Sequence, residues 1–252
     1  MERAPFSTNG IYESRALQPF SLDIGLAESS LFGPGEDRSL VRKDEAFFAV
    51  FDGVRFVPNG GLAAEVALDS LSDIPLCSFD GANVEDITGL ELNLKSMVQR
   101  ASFDVANEAD GGITTCVAAR IISVEENDQR LKPYVVWAAA GDSRIYVYSG
   151  GKVDQLSRDE GNGRTVSNYL GQKDYPKIPA TVEQAGHRRL NWGDKILLVT
   201  DGITGDEDTL LTDEEISMAC ANAPEVAAGE LIKISRLKAD KTALVVGIAA
   251  LS

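Results

Sequence analysis

Three strand-like apolar runs of this sequence each end at an aspartate that has a glycine beside it. The runs and the residues that follow them are Ala46–Phe51 with Asp52-Gly53, Val135–Ala140 with Gly141-Asp142, and Lys195–Thr200 with Asp201-Gly202. A carboxylate at the end of a buried strand is costly unless it is paired or binds a metal ion. Glycine lets the backbone turn sharply and come close to a bound ion. If these strand ends converge, their oxygen atoms would suit Mg²⁺ or Mn²⁺.

A simple turn is the alternative interpretation of each Asp-Gly pair. An isolated pair of this kind usually marks a turn and has no chemical role. Its recurrence after two six-residue apolar runs, together with Gly141-Asp142-Ser143, favours a metal site. Glu36-Asp37 follows Gly33-Pro34-Gly35 and would be an exposed turn if it were taken alone. Beside the other acids, Glu36 and Asp37 become further candidate ligands.

The composition is that of a globular protein and excludes some partners. The 252 residues are 44% apolar and 25% charged, which allows a sizeable core. Length alone fits one large domain or two small ones, but no linker divides the chain, so we expect a single domain over residues 1–252. The formal net charge of −15 disfavours nucleic acid, whose phosphates are neutralised by Lys and Arg.

The sequence also gives no sign of a membrane or secreted protein. No apolar stretch approaches the ~20 residues that are needed to cross a bilayer. Residues 1–10 lack the basic and then apolar order of a secretory signal. We therefore expect a cytoplasmic protein with no membrane contact.

The cysteines and the single histidine argue against several reaction classes. Cys77, Cys116 and Cys220 are odd in number and widely spaced, which argues against a disulfide framework and against a zinc site. Cys116 lies in an apolar segment, where a small core residue is more common than a nucleophile. His187 lies in a polar, loop-like setting without a Gly-x-Ser-x-Gly motif, so a Ser-His-Asp hydrolase is not expected.

Strand-like and helix-like segments alternate along the chain and are grouped in runs. The predicted strands are Phe20–Ala27, Ala46–Phe51, Thr114–Val124, Tyr134–Ala140, Arg144–Tyr148, Lys195–Thr200 and Thr242–Ile248. The predicted helices are Gly61–Leu71, Leu90–Ala109, one that begins at the capping box Thr212–Glu215, and Glu225–Leu237. Helices beside runs of strands predict an α+β layered sandwich. The long irregular segment Ser157–Thr181 is expected to be functional or mobile.

The acidic motifs resemble, in order and spacing, those of the metal-dependent type 2C serine/threonine protein phosphatases, especially the compact bacterial members. The matching segments are Glu36-Asp37, Phe48-Ala49-Val50-Phe51-Asp52-Gly53, Gly112-Ile113-Thr114-Thr115, Gly141-Asp142-Ser143-Arg144, Asn168-Tyr169-Leu170-Gly171, Trp192-Gly193-Asp194 and Leu198-Val199-Thr200-Asp201-Gly202. They extend over nearly the whole chain. The resemblance implies a four-layer sandwich, in which helices flank two central antiparallel sheets. It also implies two bound Mn²⁺ or Mg²⁺ ions and a weaker third ion.

The resemblance further implies a role for each acidic residue. The implied ligands of the two ions are Asp52, which bridges them, the Gly53 carbonyl, Asp201, and, largely through water, Glu36 and Asp37. Asp142 matches a ligand of the third ion. The implied reaction is hydrolysis of phosphoserine or phosphothreonine in a phosphorylated protein substrate by metal-activated water. Asp37, Asp52 and Asp201 are then the expected catalytic residues.

Several positions depart from the family pattern. Phe32 stands where the family usually has an arginine that holds the substrate phosphate. Val54, in a lengthened loop, stands where many eukaryotic members have a proton-transferring histidine. We predict that Arg55 in this loop replaces the missing arginine, because a guanidinium can bind phosphate through two hydrogen bonds. A solvated surface arginine is the alternative. Gly205, followed by Asp206, replaces a further family aspartate and makes the third-ion site uncertain.

The last metal-binding position of the family falls on an ambiguous segment, Lys238-Ala239-Asp240-Lys241-Thr242. An alignment on Thr242 puts Ala239 at the ligand position, whereas a slip of one residue puts Asp240 there. In an extended strand such a slip turns a side chain to the opposite face, so the two registers predict different metal shells. We expect a weakened site in which Asp240 compensates.

Two other functions compete with a protein phosphatase. A pseudophosphatase, which keeps the fold in order to bind a phosphoprotein or signalling partner, would explain Phe32, Val54 and Ala239 together. An aspartyl phosphatase of the haloacid dehalogenase type needs a second aspartate two residues after its nucleophile. This chain has Val54 at that position, so the aspartyl phosphatase is disfavoured.

Overall fold

The computed structural model of this chain describes residues 20–31, 33, 35–74, 82–83 (backbone only), 86–161, 167–171, 180–205 and 209–251. Its strands are β1 (Phe20–Ser29), β2 (Arg38–Arg42), β3 (Phe47–Phe51), β4 (Ala82–Asn83), β5 (Ile113–Thr114), β6 (Cys116–Glu125), β7 (Leu131–Ala140), β8 (Arg144–Ser149), β9 (Lys152–Gln155), β10 (Leu170–Gly171), β11 (Gln184–Arg189), β12 (Lys195–Val199) and β13 (Lys241–Ala250). Its helices are α1 (Gly60–Asp73), α2 (Ile87–Glu108), α3 (Asp201–Thr204), α4 (Asp213–Cys220) and α5 (Pro224–Ile234). None of these helices is long and apolar enough to span a bilayer.

Two sheets, antiparallel apart from one short added strand, form the centre of the fold. The first contains β1, β13, β12, β8 and β9 in that order, and the second contains β11, β7, β6, β3 and β2. The short strand β4 pairs with β6 in parallel, and β5 and β10 form a separate two-stranded ribbon. Helices α1 and α2 pack on the outer face of the second sheet, and α4 and α5 pack on the outer face of the first. The result is four layers.

Apolar cores separate these layers, and β3 contributes to two of them. Phe47 and Phe51 lie in the core beneath α1 and α2, whereas Phe48 and Val50 lie in the core between the two sheets. Both faces of the strand are therefore buried, which explains why the run Ala46–Phe51 is apolar without alternation. Asp52 therefore follows a strand that is packed on both faces.

The predicted α+β sandwich with two central antiparallel sheets flanked by helices is confirmed. Every predicted strand and helix is present, with ends displaced by a few residues. The capping box at the start of α4 is formed, because Thr212 Oγ1 accepts from Glu215 N–H and Glu215 accepts from Thr212 N–H. The predicted strand Thr114–Val124 is interrupted at Thr115, which separates β5 from β6.

Five strands were not predicted: β2, β4, β9, β10 and β11. β4 and β10 have two residues each, which is too short for a periodic pattern. β2, β9 and β11 are edge strands with exposed polar side chains, so their apolar alternation is weak. The prediction that His187 lies in a loop was wrong, since His187 lies in β11 and pairs with Val136 of β7. Its imidazole contacts the Glu91 carboxylate.

Cys116 is a core residue, as expected. It is fully buried beneath α1 and α2, and burial raises the pKa of its thiol. Cys77 lies outside the described residues. The irregular segment Ser157–Thr181 contains the short strand β10, but most of it, including 162–166 and 172–179, lies outside the described residues.

Candidate metal centre

Four of the predicted acidic residues meet at one edge of the sandwich. Asp37 precedes β2 and Asp52 follows β3 in the second sheet, while Asp142 follows β7 in that sheet and Asp201 follows β12 in the first. They are close enough that their negative charges act on one another: Asp37 and Asp201 on Asp52, and Asp201 on Asp142. The structure therefore brings together strand ends that are far apart in the sequence.

Asp37 is held by one carboxylate oxygen only. Its Oδ2 accepts hydrogen bonds from Thr200 Oγ1 (2.9 Å) and Thr242 Oγ1 (3.0 Å). Its Oδ1 is buried and has no hydrogen-bond partner among the described residues. Burial, with the charges of Asp201 and Asp240, raises the pKa of Asp37 to about 7, although the two threonine hydroxyls oppose this change. Most buried polar atoms have a partner, so an oxygen of this kind is a candidate for contact with a cation or with water.

The backbone of Asp52 is fixed by two threonines. Its carbonyl accepts from Thr115 N–H (2.9 Å) and from Thr114 Oγ1 (2.9 Å), and its N–H donates to Thr115 Oγ1 (3.2 Å). Burial and the charges of Asp37 and Asp201 raise the pKa of Asp52 well above its ordinary value. The ionised side chain would be stabilised by a cation beside it.

Asp142 lies in a tight turn after β7. Gly141 has a φ of +102°, and a Cβ there would lie 2.7 Å from the side chain of Thr115, so only glycine fits. The hydroxyl oxygens of Ser143 and Thr115 lie 2.6 Å apart and share a hydrogen bond. Burial and the charge of Asp201 raise the pKa of Asp142 to about 7. The turn thus carries Asp142 toward the other acids.

Asp201 is the first residue of α3, directly after β12. Its backbone carbonyl accepts from Gly205 N–H (2.6 Å), which closes the short helix. Thr200 N–H donates to the Thr242 carbonyl (3.1 Å), so the end of β12 is tied to β13. These backbone contacts fix the position from which the Asp201 side chain reaches Asp52.

The oxygen atoms of these acids fit a divalent cation. None of the four carboxylates forms an ion pair with a described residue. Hard oxygen donors that form no ion pair suit Mg²⁺ or Mn²⁺. Within the described ranges, no three His, Cys, Asp or Glu side chains converge closely enough to form a preassembled metal site. Asp52 and Asp201 are already in side-chain contact, and a cation would offset the repulsion between their negative charges.

Glu36 and Asp240 differ from these four acids because both contact Arg55. Arg55 Nε donates to Glu36 Oε2 (3.3 Å), and its Nη2 lies 3.2 Å from Asp240 Oδ2. Asp240 is only 6% exposed and also accepts from the N–H groups of Leu31 (2.7 Å) and Glu36 (2.8 Å). Burial raises the pKa of Asp240, but these N–H groups and Arg55 outweigh burial and lower that pKa below its ordinary value.

The register at the start of β13 determines what Asp240 can do. Lys241 pairs with Ser29 of β1, and Asp240 lies just before the strand with both carboxylate oxygens engaged. Thr242, two residues later, reaches Asp37 instead. Asp240 as a metal ligand therefore stays a prediction, and metal binding would require the release of one of its present contacts.

The loop that carries Arg55, Val54–Asn59, is anchored at its base and exposed at its tip. Its first residue donates from N–H to the carbonyl of Ile113 (3.1 Å). A Cβ on the preceding Gly53 would lie 2.5 Å from the first carbonyl of α1, so the two ends of the loop are packed closely. Phe56, next to Arg55, is 95% exposed.

Some predicted features lie where the structure gives no description. Phe32, the expected departure from the phosphate-binding arginine, and Asp206 lie outside the described residues. Gly205 is described and has a φ of +82°, a conformation that favours glycine over aspartate. The role of Gly53 as a carbonyl ligand stays a prediction, like the metal-binding roles of the acids.

Two threonines whose hydroxyls bind the Asp37 carboxylate were not predicted as site residues. Thr200 and Thr242 hold one oxygen of Asp37 and leave the other unpaired. The sequence contains a weak signal, because Thr200 directly precedes Asp201 and Thr242 closely follows Asp240. A hydroxyl at the end of an apolar strand, next to one acid, can donate a hydrogen bond to the carboxylate of another.

Similar solved structures cover nearly the whole chain. The catalytic domain of the serine/threonine phosphatase PstP, in complex with two manganese ions, is 19% identical and covers 91% of this chain and 99% of that one, with a TM-score of 0.64. PppA, a regulatory component of T6SS in Pseudomonas aeruginosa, is 20% identical, with 90% and 98% covered and a TM-score of 0.66. A bacterial serine phosphatase is 18% identical, with 92% and 99% covered and a TM-score of 0.70. No family model and no curated protein matches the sequence.

This chain therefore has the fold of the bacterial type 2C serine/threonine phosphatases. The resemblance found in its acidic motifs is confirmed at the level of the fold, which is shared over the full length of each solved domain.

Proposed function

We propose that this protein hydrolyses phosphoserine and phosphothreonine in protein substrates with the help of Mn²⁺ or Mg²⁺. The observation that carries the proposal is a group of acids at one edge of a type 2C phosphatase fold that form no ion pair with a described residue: Asp37, Asp52, Asp142 and Asp201. Within this group Asp37 Oδ1 is buried and unpaired. The two manganese ions reported for PstP support a metal-dependent reaction.

Each residue of the site has a stated part in this reaction. Bound cations supply Lewis-acid activation of water and offset the negative charge of the phosphoryl group. Asp52 and Asp201 would provide carboxylate ligands for the activating cation, and Asp142 would be a ligand at a weaker position. Asp37 is oriented by Thr200 and Thr242, so its Oδ1 is free to accept a hydrogen bond from water within the site.

Arg55 is proposed to contact the substrate phosphate. Glu36 and Asp240 hold one edge of its guanidinium, and Nη1 has no partner among the described residues. The Arg55 side chain is 39% exposed, so the remaining edge is open to solvent. A guanidinium that is already oriented loses little conformational entropy when it donates hydrogen bonds to a phosphate oxygen.

The test of the proposed function is metal-dependent turnover of a phosphothreonine peptide. Phosphate release is expected to rise with added Mn²⁺, to reach a plateau, and to disappear on chelation with EDTA. Hydrolysis that persists in EDTA would argue against the proposed mechanism. A folded protein without turnover at millimolar Mn²⁺ and Mg²⁺ would favour the pseudophosphatase, whose phosphopeptide binding could then be measured directly.

Arg55→Ala is expected to raise the KM for the same peptide by about tenfold or more, because a charge-assisted hydrogen bond contributes about 1.5–3 kcal/mol. Steady-state kinetics at a fixed Mn²⁺ concentration measure this change. Arg100→Ala is the matched control, since Arg100 is an exposed arginine on α2. An unchanged KM for Arg55→Ala would return Arg55 to the role of a surface arginine.

A further inference from the structure

The acids of the site form two groups, of which only one contains carboxylates that are ion-paired with Arg55. One group is the pair Glu36 and Asp240, which shares the guanidinium of Arg55 at 3.3 and 3.2 Å. The other group has no ion pair with any described residue and consists of Asp37, Asp52, Asp142 and Asp201. The first group therefore already contains a permanent positive charge, and the second needs one.

The balance of the first group does not rest on Arg55 alone. Asp240 also accepts two backbone N–H groups, from Leu31 at 2.7 Å and from Glu36 at 2.8 Å. Hydrogen bonds to an ionised carboxylate are about twice as strong as neutral ones. A guanidinium remains protonated at any physiological pH. The guanidinium balances one of the two negative charges of this pair, and the backbone N–H groups stabilise the Asp240 carboxylate, so the pair attracts a second cation less strongly than carboxylates without an ion pair.

The position of Arg55 is set by the lengthened loop after Asp52. The loop is tied at its base to the carbonyl of Ile113 and closed tightly at Gly53. This anchored loop keeps Arg55 close to Glu36 and Asp240. A divalent cation at the same two carboxylates would be repelled by the guanidinium, or would have to displace it and break both ion pairs.

We propose that the guanidinium of Arg55 takes the place of one of the two metal ions that the fold implies. The protein then binds one divalent cation, with Asp52 and Asp201 as its carboxylate ligands and the unpaired oxygen of Asp37 available to a water bound beside it, while Arg55 balances the Glu36–Asp240 side. This inference rests on the proposed function, because it concerns the same centre, and it changes the number of cations in that centre.

Metal stoichiometry tests the inference independently of turnover. Mn²⁺ bound by the purified protein is counted by equilibrium dialysis with elemental analysis, and its electron paramagnetic resonance spectrum is recorded. The wild-type protein is expected to bind one Mn²⁺ per chain and to give the spectrum of an isolated ion. Arg55→Ala is expected to bind two Mn²⁺ per chain and to give the broadened spectrum of a coupled pair.

Two variants make the comparison specific. Arg55→Lys keeps a positive charge near the carboxylates and is expected to bind one Mn²⁺, like the wild type. Arg100→Ala removes an arginine from an exposed position on α2 and is also expected to bind one. Thermal unfolding of all the proteins in EDTA shows whether each is folded before its metal content is compared.

The possible results separate this inference from the proposed function. Two ions in the wild-type protein would overturn the inference and leave the metal-dependent phosphatase standing. One ion in both the wild type and Arg55→Ala would also overturn it, because Arg55 would then not set the count. Folded wild-type protein that binds no Mn²⁺ would overturn the proposed function and the inference together.

Discussion

Asp52→Asn is expected to lower metal-dependent turnover by about a thousandfold or more. The negative charges of Asp37 and Asp201 both act on Asp52. The proposed function makes Asp52 the central carboxylate of the cation site. An amide oxygen is a weaker ligand for a hard divalent cation than a carboxylate. Lewis-acid stabilisation is typically several kcal/mol, and each 1.36 kcal/mol changes the rate tenfold.

The same substitution is expected to stabilise the protein in the absence of metal. Burial and neighbouring negative charges raise the pKa of Asp52, so its ionised form destabilises the metal-free folded state at neutral pH. Asparagine has nearly the same shape and no charge. Thermal unfolding in EDTA should show a higher Tm for Asp52→Asn, by roughly 2–4 °C for each kcal/mol of repulsion removed.

Added Mn²⁺ should reverse this order of stability. A ligand that binds only the folded state stabilises it in proportion to the logarithm of its concentration over Kd, and the wild type should bind the cation much more tightly. Asp69→Asn is the matched control, because Asp69 is an exposed acid on α1. A surface change of this kind is expected to alter stability by no more than about 0.5 kcal/mol. A lower Tm for Asp52→Asn than for the wild type in EDTA would contradict the electrostatic argument.

The sequence predicted the strand ends of the site because burial on both faces leaves a clear pattern. The run before Asp52 is apolar at every position, and the run before Asp201 is nearly so. Both strands lie in the interior of a sheet with cores on either side. The edge strands β2, β9 and β11 expose polar side chains and could not be recognised by the same criterion.

The relations between distant segments could not be predicted in the same way. Asp240 lies at a strand boundary where a shift of one residue exchanges the two faces, and no residue type in that segment decides the register. The structure shows Asp240 bonded to the backbone of Leu31 and Glu36, more than 200 positions earlier in the chain. The pairing of Arg55 with two carboxylates depends equally on the path of a lengthened loop. Such contacts follow from the assembled fold and leave no local pattern.

Gly202, beside Asp201, is required for a reason that the sequence motif alone does not reveal. The motif predicts a glycine that lets the backbone approach an ion. The structure gives Gly202 a different and sufficient reason, since a Cβ there would lie 1.8 Å from the Asp240 carbonyl oxygen. Gly202 is thus needed for the close packing of α3 against the start of β13, whether or not an ion is bound.

Gly202→Ala is therefore expected to destabilise the protein by more than about 3 kcal/mol, above the usual range for overpacked cores. The contacted atom belongs to the backbone, so no side chain can move aside to make room. The strand end that carries Asp240 and the helix that carries Asp201 would have to separate, which should also weaken Mn²⁺ binding. Urea denaturation in EDTA measures the stability, and equilibrium dialysis measures the Mn²⁺ affinity.

Gly229→Ala is the matched control for this substitution. Gly229 lies within α5, and a Cβ there would meet no atom within 4 Å. Alanine in a helix interior is more stable than glycine by roughly 0.5–1 kcal/mol, so the two glycine substitutions should have opposite signs. A loss of less than about 1 kcal/mol for Gly202→Ala would mean that α3 and β13 can separate at little cost. The position of Asp201 would then be set by its side-chain neighbours and a bound cation instead of by backbone packing.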